Sequence, residues 1–309
     1  MECDYNGFKN RMGPRDSSHY ERAGSHRAPL QDNHAGLGVE RDHPGTKLET
    51  LGEHFGLTEG PVWIQEGKSG HLLFSDCAAN VIYKWAPGSN LSVFLESSGY
   101  TGKDNLNVGP QTVSGGRVSI LLIGSNGLAL DPQGRSVITA MADRSVVRLE
   151  KDGKRTMLAD RYDGKRFSGP NDVTVKSDGA VYFTDSVNGL RGGGVGPARE
   201  LTFNGLYLVK DGRVTLLGGD KDQPGDFPNG ITLSPDEKHL YVTAGPRKTL
   251  RYDVLPDDTV ANPKVFLDAG NDRMKVDRGW QYVIYYGLHS SVSDSSEDSG
   301  RANERKCGC

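Results

Sequence analysis

The fold is decided by a hairpin in the middle of the chain, which reads Pro170-Asn171-Asp172-Val173-Thr174-Val175, the turn Ser177-Asp178-Gly179, and Val181-Tyr182-Phe183-Thr184-Asp185. Apolar and β-branched residues dominate both arms, and the Asp-Gly pair between them is typical of a tight turn. The hairpin therefore predicts two short antiparallel strands with a polar residue at the start of the first strand.

Related hairpins occur before and after this one. Their first strands are Thr58-Glu59-Gly60-Pro61-Val62-Trp63, Ser125-Asn126-Gly127-Leu128-Ala129-Leu130, Pro228-Asn229-Gly230-Ile231-Thr232-Leu233 and a degraded copy, Asn271-Asp272-Arg273-Met274-Lys275-Val276-Asp277. A second type of hairpin lies between the copies, so each unit holds four short strands. The leading polar residues are 67, 45, 58 and 43 residues apart, and the two wider gaps hold insertions at 99–116 and 185–204. Four strands at a period near 40–50 residues indicate the blades of an all-β propeller, whereas a β-sandwich, the alternative, shows turns without such a repeat.

The leading polar residues of the units are the candidate functional residues. Equivalent positions on the innermost strands of a propeller line its central channel, so these side chains should form a ring: Glu59, Asn126, Asn171, Asn229 and Asp272. Each Asn-Gly pair taken alone is ordinary turn chemistry. Their repetition favours a shared role, and carboxylate and amide oxygens without sulfur or imidazole suit a hard cation, calcium before magnesium.

These motifs resemble the SMP-30/gluconolactonase/LRE-like region family. The resemblance rests on the segment 58–63, on Leu72 to Asp76, and on the motifs around Asn126, Asn171 and Asn229, and it extends from about residue 50 to residue 277. It implies a six-bladed β-propeller that hydrolyses sugar lactones or related esters at a bound divalent cation, here expected to be Ca²⁺. It also implies four metal ligands: Glu59, Asn171, Asn229 and Asp272. Asp272 is in addition the implied general base. We further predict that Asn126 and Asn171 contact the substrate.

Three departures from the family pattern predict impaired activity. Arg273 stands where the family has a glycine beside the presumed base, and we expect it to compete with the cation for the Asp272 carboxylate. Met141 stands where related sequences often carry a histidine. The resemblance stops after about residue 277, which predicts an incomplete fifth blade and a propeller that lacks its last blade.

Composition indicates which segments are folded and which classes of partner are excluded. Residues 1–46 and 288–309 are polar and without periodicity, so we expect a disordered leader, an incomplete propeller over 47–287 and a disordered tail. The net charge of -3 provides no basic field for nucleic acid. No apolar run is long enough to span a membrane and no secretory segment is visible, so a soluble protein is expected, cytoplasmic by default.

Three hypotheses about function follow. The first is metal-dependent hydrolysis of a small-molecule lactone or ester, with a carboxylate taking the proton from water. The second is a noncatalytic, calcium-containing propeller that acts as a binding module. The third is a chain that does not fold stably.

Overall fold

The repeated hairpins form a series of antiparallel sheets. The computed structural model describes residues 50–113, 118–220, 227–245, 248–268, 272–276, 281–286, 289–294 and 305–306. The predicted leader and most of the predicted tail lie outside these residues. Two three-residue 3-10 helices, Val187–Gly189 and Gly193–Val195, are the helical elements of the described part of the chain, which confirms the all-β class. Neither is long and apolar enough to cross a membrane.

Strands follow one another in chain order within each sheet. Sheet I contains β1 Thr58–Glu66, β2 Ser69–Asp76, β3 Val81–Trp85 and β4 Ser92–Glu96. A two-stranded hairpin follows, with β5 Pro110–Val113 and β6 Val118–Leu121. Sheet II contains β7 Ser125–Leu130, β8 Ser136–Ala140, β9 Ser145–Leu149 and β10 Arg155–Ala159. A second small hairpin is formed by β11 Arg161–Tyr162 and β12 Lys165–Arg166.

The same order continues through three further sheets. Sheet III contains β13 Pro170–Val175, β14 Val181–Asp185, β15 Gly205–Lys210 and β16 Arg213–Gly219. Sheet IV contains β17 Pro228–Leu233, β18 His239–Ala244, β19 Lys248–Val254 and β20 Val260–Leu267. Sheet V contains β21 Arg273–Val276, β22 Gln281–Tyr286, β23 His289–Asp294 and β24 Arg305–Lys306.

Sheet V contains the fifth unit, and the predicted bounds of the incomplete propeller and the disordered tail stay a prediction. It has four strands, and β23 and β24 fall within the segment predicted to be a disordered tail. The physical reason is that ladder hydrogen bonds join backbone groups, so a polar, serine-rich stretch can pair with β22 without an apolar pattern.

The turns between paired strands are stabilised by a repeated aspartate. Its carboxylate accepts a hydrogen bond from the backbone N–H two residues later, which fixes the turn before the next strand starts. The pairs are Asp131 with Gln133, Asp152 with Lys154, Asp178 with Ala180, Asp236 with Lys238, and Asp257 with Thr259.

The apolar core lies between successive sheets. On β14 the neighbouring side chains of Tyr182 and Phe183 are both fully buried but belong to different clusters. Phe183 packs with Val137 and Val146 of sheet II, whereas Tyr182 packs with sheet IV. The alternation of side chains along a strand thus covers both faces of sheet III, and each such side chain contributes about 1.5–3 kcal/mol by burial.

Candidate functional site

Four of the five predicted polar residues lie at an irregularity that their first strands share. Pairing between the first and second strands shifts register from Glu59 to Val62, from Ser125 to Leu128, from Pro170 to Val173 and from Pro228 to Ile231. The bulged pairs of sheets II, III and IV are Asn126-Gly127, Asn171-Asp172 and Asn229-Gly230. A β-bulge removes residues from the ladder and turns their side chains, which frees these polar groups for a site.

The glycines of these pairs are required by the next sheet. A Cβ on Gly127 would lie 2.5 Å from Asp172 Oδ1 and 2.7 Å from its Cα. A Cβ on Gly230 would lie 2.7 Å from the Cα of Arg273. The first strands therefore approach one another closely at this level. Asp172 and Arg273 occupy the position of these glycines on β13 and β21.

The five predicted residues lie at the starts of the five first strands or, for Asp272, directly before one, and they differ in exposure. Glu59, Asn126 and Asn171 are buried, at 7%, 3% and 5% exposure, and Asn229 and Asp272 are half-buried. Asn229 Nδ2 donates to Asp272 Oδ1 at 3.1 Å. Among the described residues, the buried amide oxygens of three of them have no hydrogen-bond partner: Asn126, Asn171 and Asn229. Buried acceptors without partners are uncommon, so these oxygens point to a ligand.

Asp172 is a site residue that the sequence reasoning missed. Its side chain is fully buried, and its carboxylate accepts hydrogen bonds from Val173 N at 2.9 Å and from Ile231 N at 3.1 Å in the next sheet. The signal was present in the repeat, because Asp172 and Arg273 are the two positions at which a charged residue replaces the glycine of the polar-glycine pair. Their opposite charges are those of an ion pair.

Arg273 joins the carboxylates of two distant sheets. It is 3% exposed, its Nε donates to Glu59 Oε2, and its Nη1 lies 2.8 Å from Asp172 Oδ1. Neither Nη1 nor Nη2 has a hydrogen-bond partner among the described residues, so the contact between Nη1 and Asp172 is an ion pair. Arg273 was expected to compete with a cation for the Asp272 carboxylate, whereas in the structure it pairs with Glu59 and Asp172.

The cluster contains more carboxyl groups than cationic groups. Two carboxyl groups, those of Glu59 and Asp172, contact the guanidinium of Arg273, and the charge of Asp272 also acts on it. Burial lowers the pKa of Arg273, but the carboxylates of Asp172 and Glu59 outweigh burial and raise it above its ordinary value. Burial raises the pKa of Glu59 to about 7, the positive charge of Arg273 opposes the rise, and the charge of Asp272 adds to it. Arg273 is therefore a permanent cation within the cluster.

These residues do not fit a divalent cation as they stand. A calcium ion needs six to eight oxygens at about 2.3–2.6 Å. The amide oxygens of Asn126, Asn171 and Asn229 suit that purpose, but Glu59, the buried carboxylate of the predicted ligand set, already binds Arg273. The assignment of Glu59, Asn171, Asn229 and Asp272 as metal ligands therefore stays a prediction.

Hydroxyl groups on the second strands hold the site together. Thr139 Oγ1 accepts from Gly127 N at 2.6 Å in its own sheet and donates to Asn171 O at 2.8 Å in the next. Thr184 Oγ1 accepts from Asp172 N at 3.1 Å and donates to Asn229 O at 2.5 Å. Each hydroxyl thus replaces a ladder bond lost at the bulge and joins two sheets.

Met141 is fully buried rather than presented to a ligand. It is 1% exposed and packs with Cys77 and Leu122, and a Cβ added to Gly169 or Gly189 would lie 3.2 Å or 3.0 Å from its Cγ. A thioether in this position supplies packing and no proton-transfer group.

Comparison with known proteins agrees with this architecture. The family described as SMP-30/Gluconolactonase/LRE-like region matches residues 57–281. A gluconolactonase of Zymomonas mobilis is 34% identical over 204 residues, which is 65% of this chain and 52% of that protein. Protein STRICTOSIDINE SYNTHASE-LIKE 7 of Arabidopsis thaliana is 31% identical over 159 residues, covering 48% of this chain and 40% of that protein. The chain spans about half the length, or less, of these curated relatives.

Solved structures share the fold. A gluconolactonase from Xanthomonas campestris has a TM-score of 0.64 at 26% identity, over 83% of this chain and 78% of that chain. A calcium-binding protein, regucalcin from Agrobacterium tumefaciens, has a TM-score of 0.54 at 17% identity, over 77% of this chain and 71% of that chain. At that identity the second likeness concerns the fold alone.

Proposed function

This chain belongs to the SMP-30/Gluconolactonase/LRE-like family, and from this premise we propose that it hydrolyses a lactone or related carboxylic ester. The five sheets are successive blades of a β-propeller, and the reaction takes place where their first strands meet. The similarity to gluconolactonases from two bacteria supports a sugar lactone as the substrate class. Asn229 and Asp272, the half-buried members of the cluster, mark the side from which a small substrate approaches.

The observation that carries the proposal is the buried guanidinium of Arg273, the residue that follows Asp272. Hydrolysis needs a group that stabilises negative charge on the carbonyl oxygen, and Nη2 of Arg273 is a buried cationic donor without a hydrogen-bond partner in the described part of the chain. The unpartnered amide oxygens of Asn126 and Asn171 accept hydrogen bonds from substrate hydroxyl groups.

Asp272 is the general base of the proposal. Its Oδ1 accepts a hydrogen bond from Asn229 Nδ2, which orients the carboxylate and leaves Oδ2 for water. Asp272 takes a proton as the water oxygen bonds to the carbonyl carbon. The ring C–O bond then breaks, and the proton passes to the departing oxygen, which gives a hydroxy acid.

A direct assay tests this assignment. Hydrolysis of glucono-lactone by the purified chain is followed as acid release and corrected for the spontaneous rate. Asp272→Asn should lower kcat by about 10²–10⁴-fold, whereas Asp152→Asn, in an exposed turn, should leave it unchanged. Equal rates for D272N and the parent, both above the spontaneous rate, would remove Asp272 from the mechanism. The low activity expected from the C-terminal sequence is tested by the same measurement.

A noncatalytic binding role is the second candidate, and Met141 favours it. The buried thioether provides no acid or base at a position where related sequences often carry a histidine. Saturable binding of a lactone without turnover would establish this role.

A further inference from the structure

Arg273 interrupts a pattern that the other first strands keep. Three of them follow the polar residue with glycine: Gly60, Gly127 and Gly230. The two exceptions, Asp172 and Arg273, lie 2.8 Å apart between Oδ1 and Nη1. Because a Cβ at either Gly127 or Gly230 would meet the next sheet at under 3.0 Å, a large side chain is tolerated only where it has a specific place to go.

The place of the Arg273 side chain is the centre of the oxygen cluster. Its guanidinium contacts a carboxylate of sheet I, Glu59, and one of sheet III, Asp172, although it comes from sheet V. Arg273 is 3% exposed, and its partners are 7% and 0% exposed. One buried cation therefore neutralises carboxylates from two other sheets, as a bound metal ion does in other proteins.

A divalent ion and this guanidinium cannot share the cluster. Glu59 Oε2 accepts the Nε hydrogen of Arg273, and an ion bound to the same carboxylate would lie within a few ångströms of a second positive charge. Repulsion between such charges is strong where water is excluded. We propose that Arg273 is a built-in cation that takes the place of a divalent metal ion, so that the central cluster binds calcium only when Arg273 is removed.

The unpartnered amide oxygens are the further ligands that a calcium ion would need in the cluster. Asn126, Asn171 and Asn229 each keep a buried Oδ1 without a hydrogen-bond partner among the described residues. Removal of the guanidinium would release the carboxylates of Glu59 and Asp172 beside these oxygens. The variant would then offer carboxylate and amide oxygens alone, which is the donor set that calcium prefers. The inference concerns ion binding and holds whether or not the cluster is catalytic.

Calcium titration of Arg273→Gly and the parent tests the proposal. Both proteins are freed of metal with a chelator and titrated with CaCl₂ by calorimetry, and their Tm is measured with and without about 10 mM CaCl₂, a large excess over the expected Kd. The parent should show no saturable heat and no change in Tm. R273G should bind one calcium ion with a Kd of about 10⁻⁵–10⁻³ M, and its Tm should rise with calcium.

Two matched variants identify the site. Lys275→Ala removes another cation of the same strand, 30% exposed with Nζ 4.0 Å from Asp172 Oδ1, and should not create calcium binding. Glu59→Gln in the R273G background should weaken the new binding at least about tenfold, because a charged ligand is lost.

Several results would overturn the proposal. One is saturable calcium binding by the parent that Glu59→Gln abolishes. Another is a folded R273G that binds no calcium. Should R273G fail to fold, R273Q provides the second variant, and failure of both to fold or bind at about 10 mM CaCl₂ also counts against the proposal, since an opened site should gain stability from the ion.

Discussion

The ion pair between Asp172 and Arg273 should couple the two residues energetically, and a double-mutant cycle measures the coupling. Asp172→Asn keeps the side-chain shape and removes the charge, and Arg273→Met keeps the length and removes the guanidinium. The two residues are 0% and 3% exposed, so solvent does not compensate for a lost partner. Breaking a buried pair by removing one member costs about 3–5 kcal/mol.

The contacts of each residue set the expected loss in the free energy of unfolding for each variant. Asp172→Asn replaces one carboxylate oxygen by an amide nitrogen, although both oxygens accept backbone hydrogen bonds, from Val173 and Ile231. Arg273→Met leaves both Asp172 and Glu59 without their cation, so we expect it to lie at the upper end of the range. The double variant loses the pair once, and its cost should fall below the sum of the single costs by about 1–3 kcal/mol.

Equilibrium unfolding in urea, followed by far-UV circular dichroism, provides the assay. Comparable m values in the four proteins are needed so that differences in midpoint report stability. Lys275→Met is the matched control, because Lys275 is 30% exposed and its Nζ is 4.0 Å from Asp172 Oδ1. It should cost less than about 1 kcal/mol. If the costs of the two single variants sum to within about 0.5 kcal/mol of the cost of the double variant, the direct contact is refuted.

Three further predictions address the inner strands, the glycine pattern and acid stability. Thr184→Val should lower the free energy of unfolding by about 1–3 kcal/mol, measured in urea, because it leaves a buried N–H and a carbonyl of two sheets without their shared hydroxyl. Gly127→Ala should cost about 1–3 kcal/mol by thermal denaturation, since its Cβ would lie 2.5 Å from Asp172 Oδ1, and an unchanged Tm would contradict the close packing. The pKa of Glu150 is lowered from the ordinary 4.5 to about 2, and the hydrogen bond from the Thr156 hydroxyl is the largest cause. The unfolded chain therefore takes the proton at higher pH, so this stabilisation is complete above pH 4.5 and is lost as the pH falls towards 2. Glu150→Gln should flatten that part of a plot of Tm against pH.

The site was partly predictable from the sequence. The repetition of polar residues placed Glu59, Asn171 and Asp272 at equivalent positions, and the structure puts each of them at the start of a first strand or, for Asp272, directly before one. Asp172 was not predicted, although it is adjacent to Asn171. Strict alternation along a strand would direct neighbouring side chains to opposite faces, and the register shift between Pro170 and Val173 removes that constraint.

The sequence by itself determined the local units of this protein. Alternating apolar residues and Asp-Gly turns act over a few residues, so hairpins such as β13 and β14 were predictable without knowledge of their neighbours. Only the tertiary structure decided which charges meet. Arg273 and Glu59 are 214 residues apart, and their contact depends on how all the sheets between them pack. Because no local rule acts over that separation, the guanidinium among the carboxylates was visible in the folded chain alone.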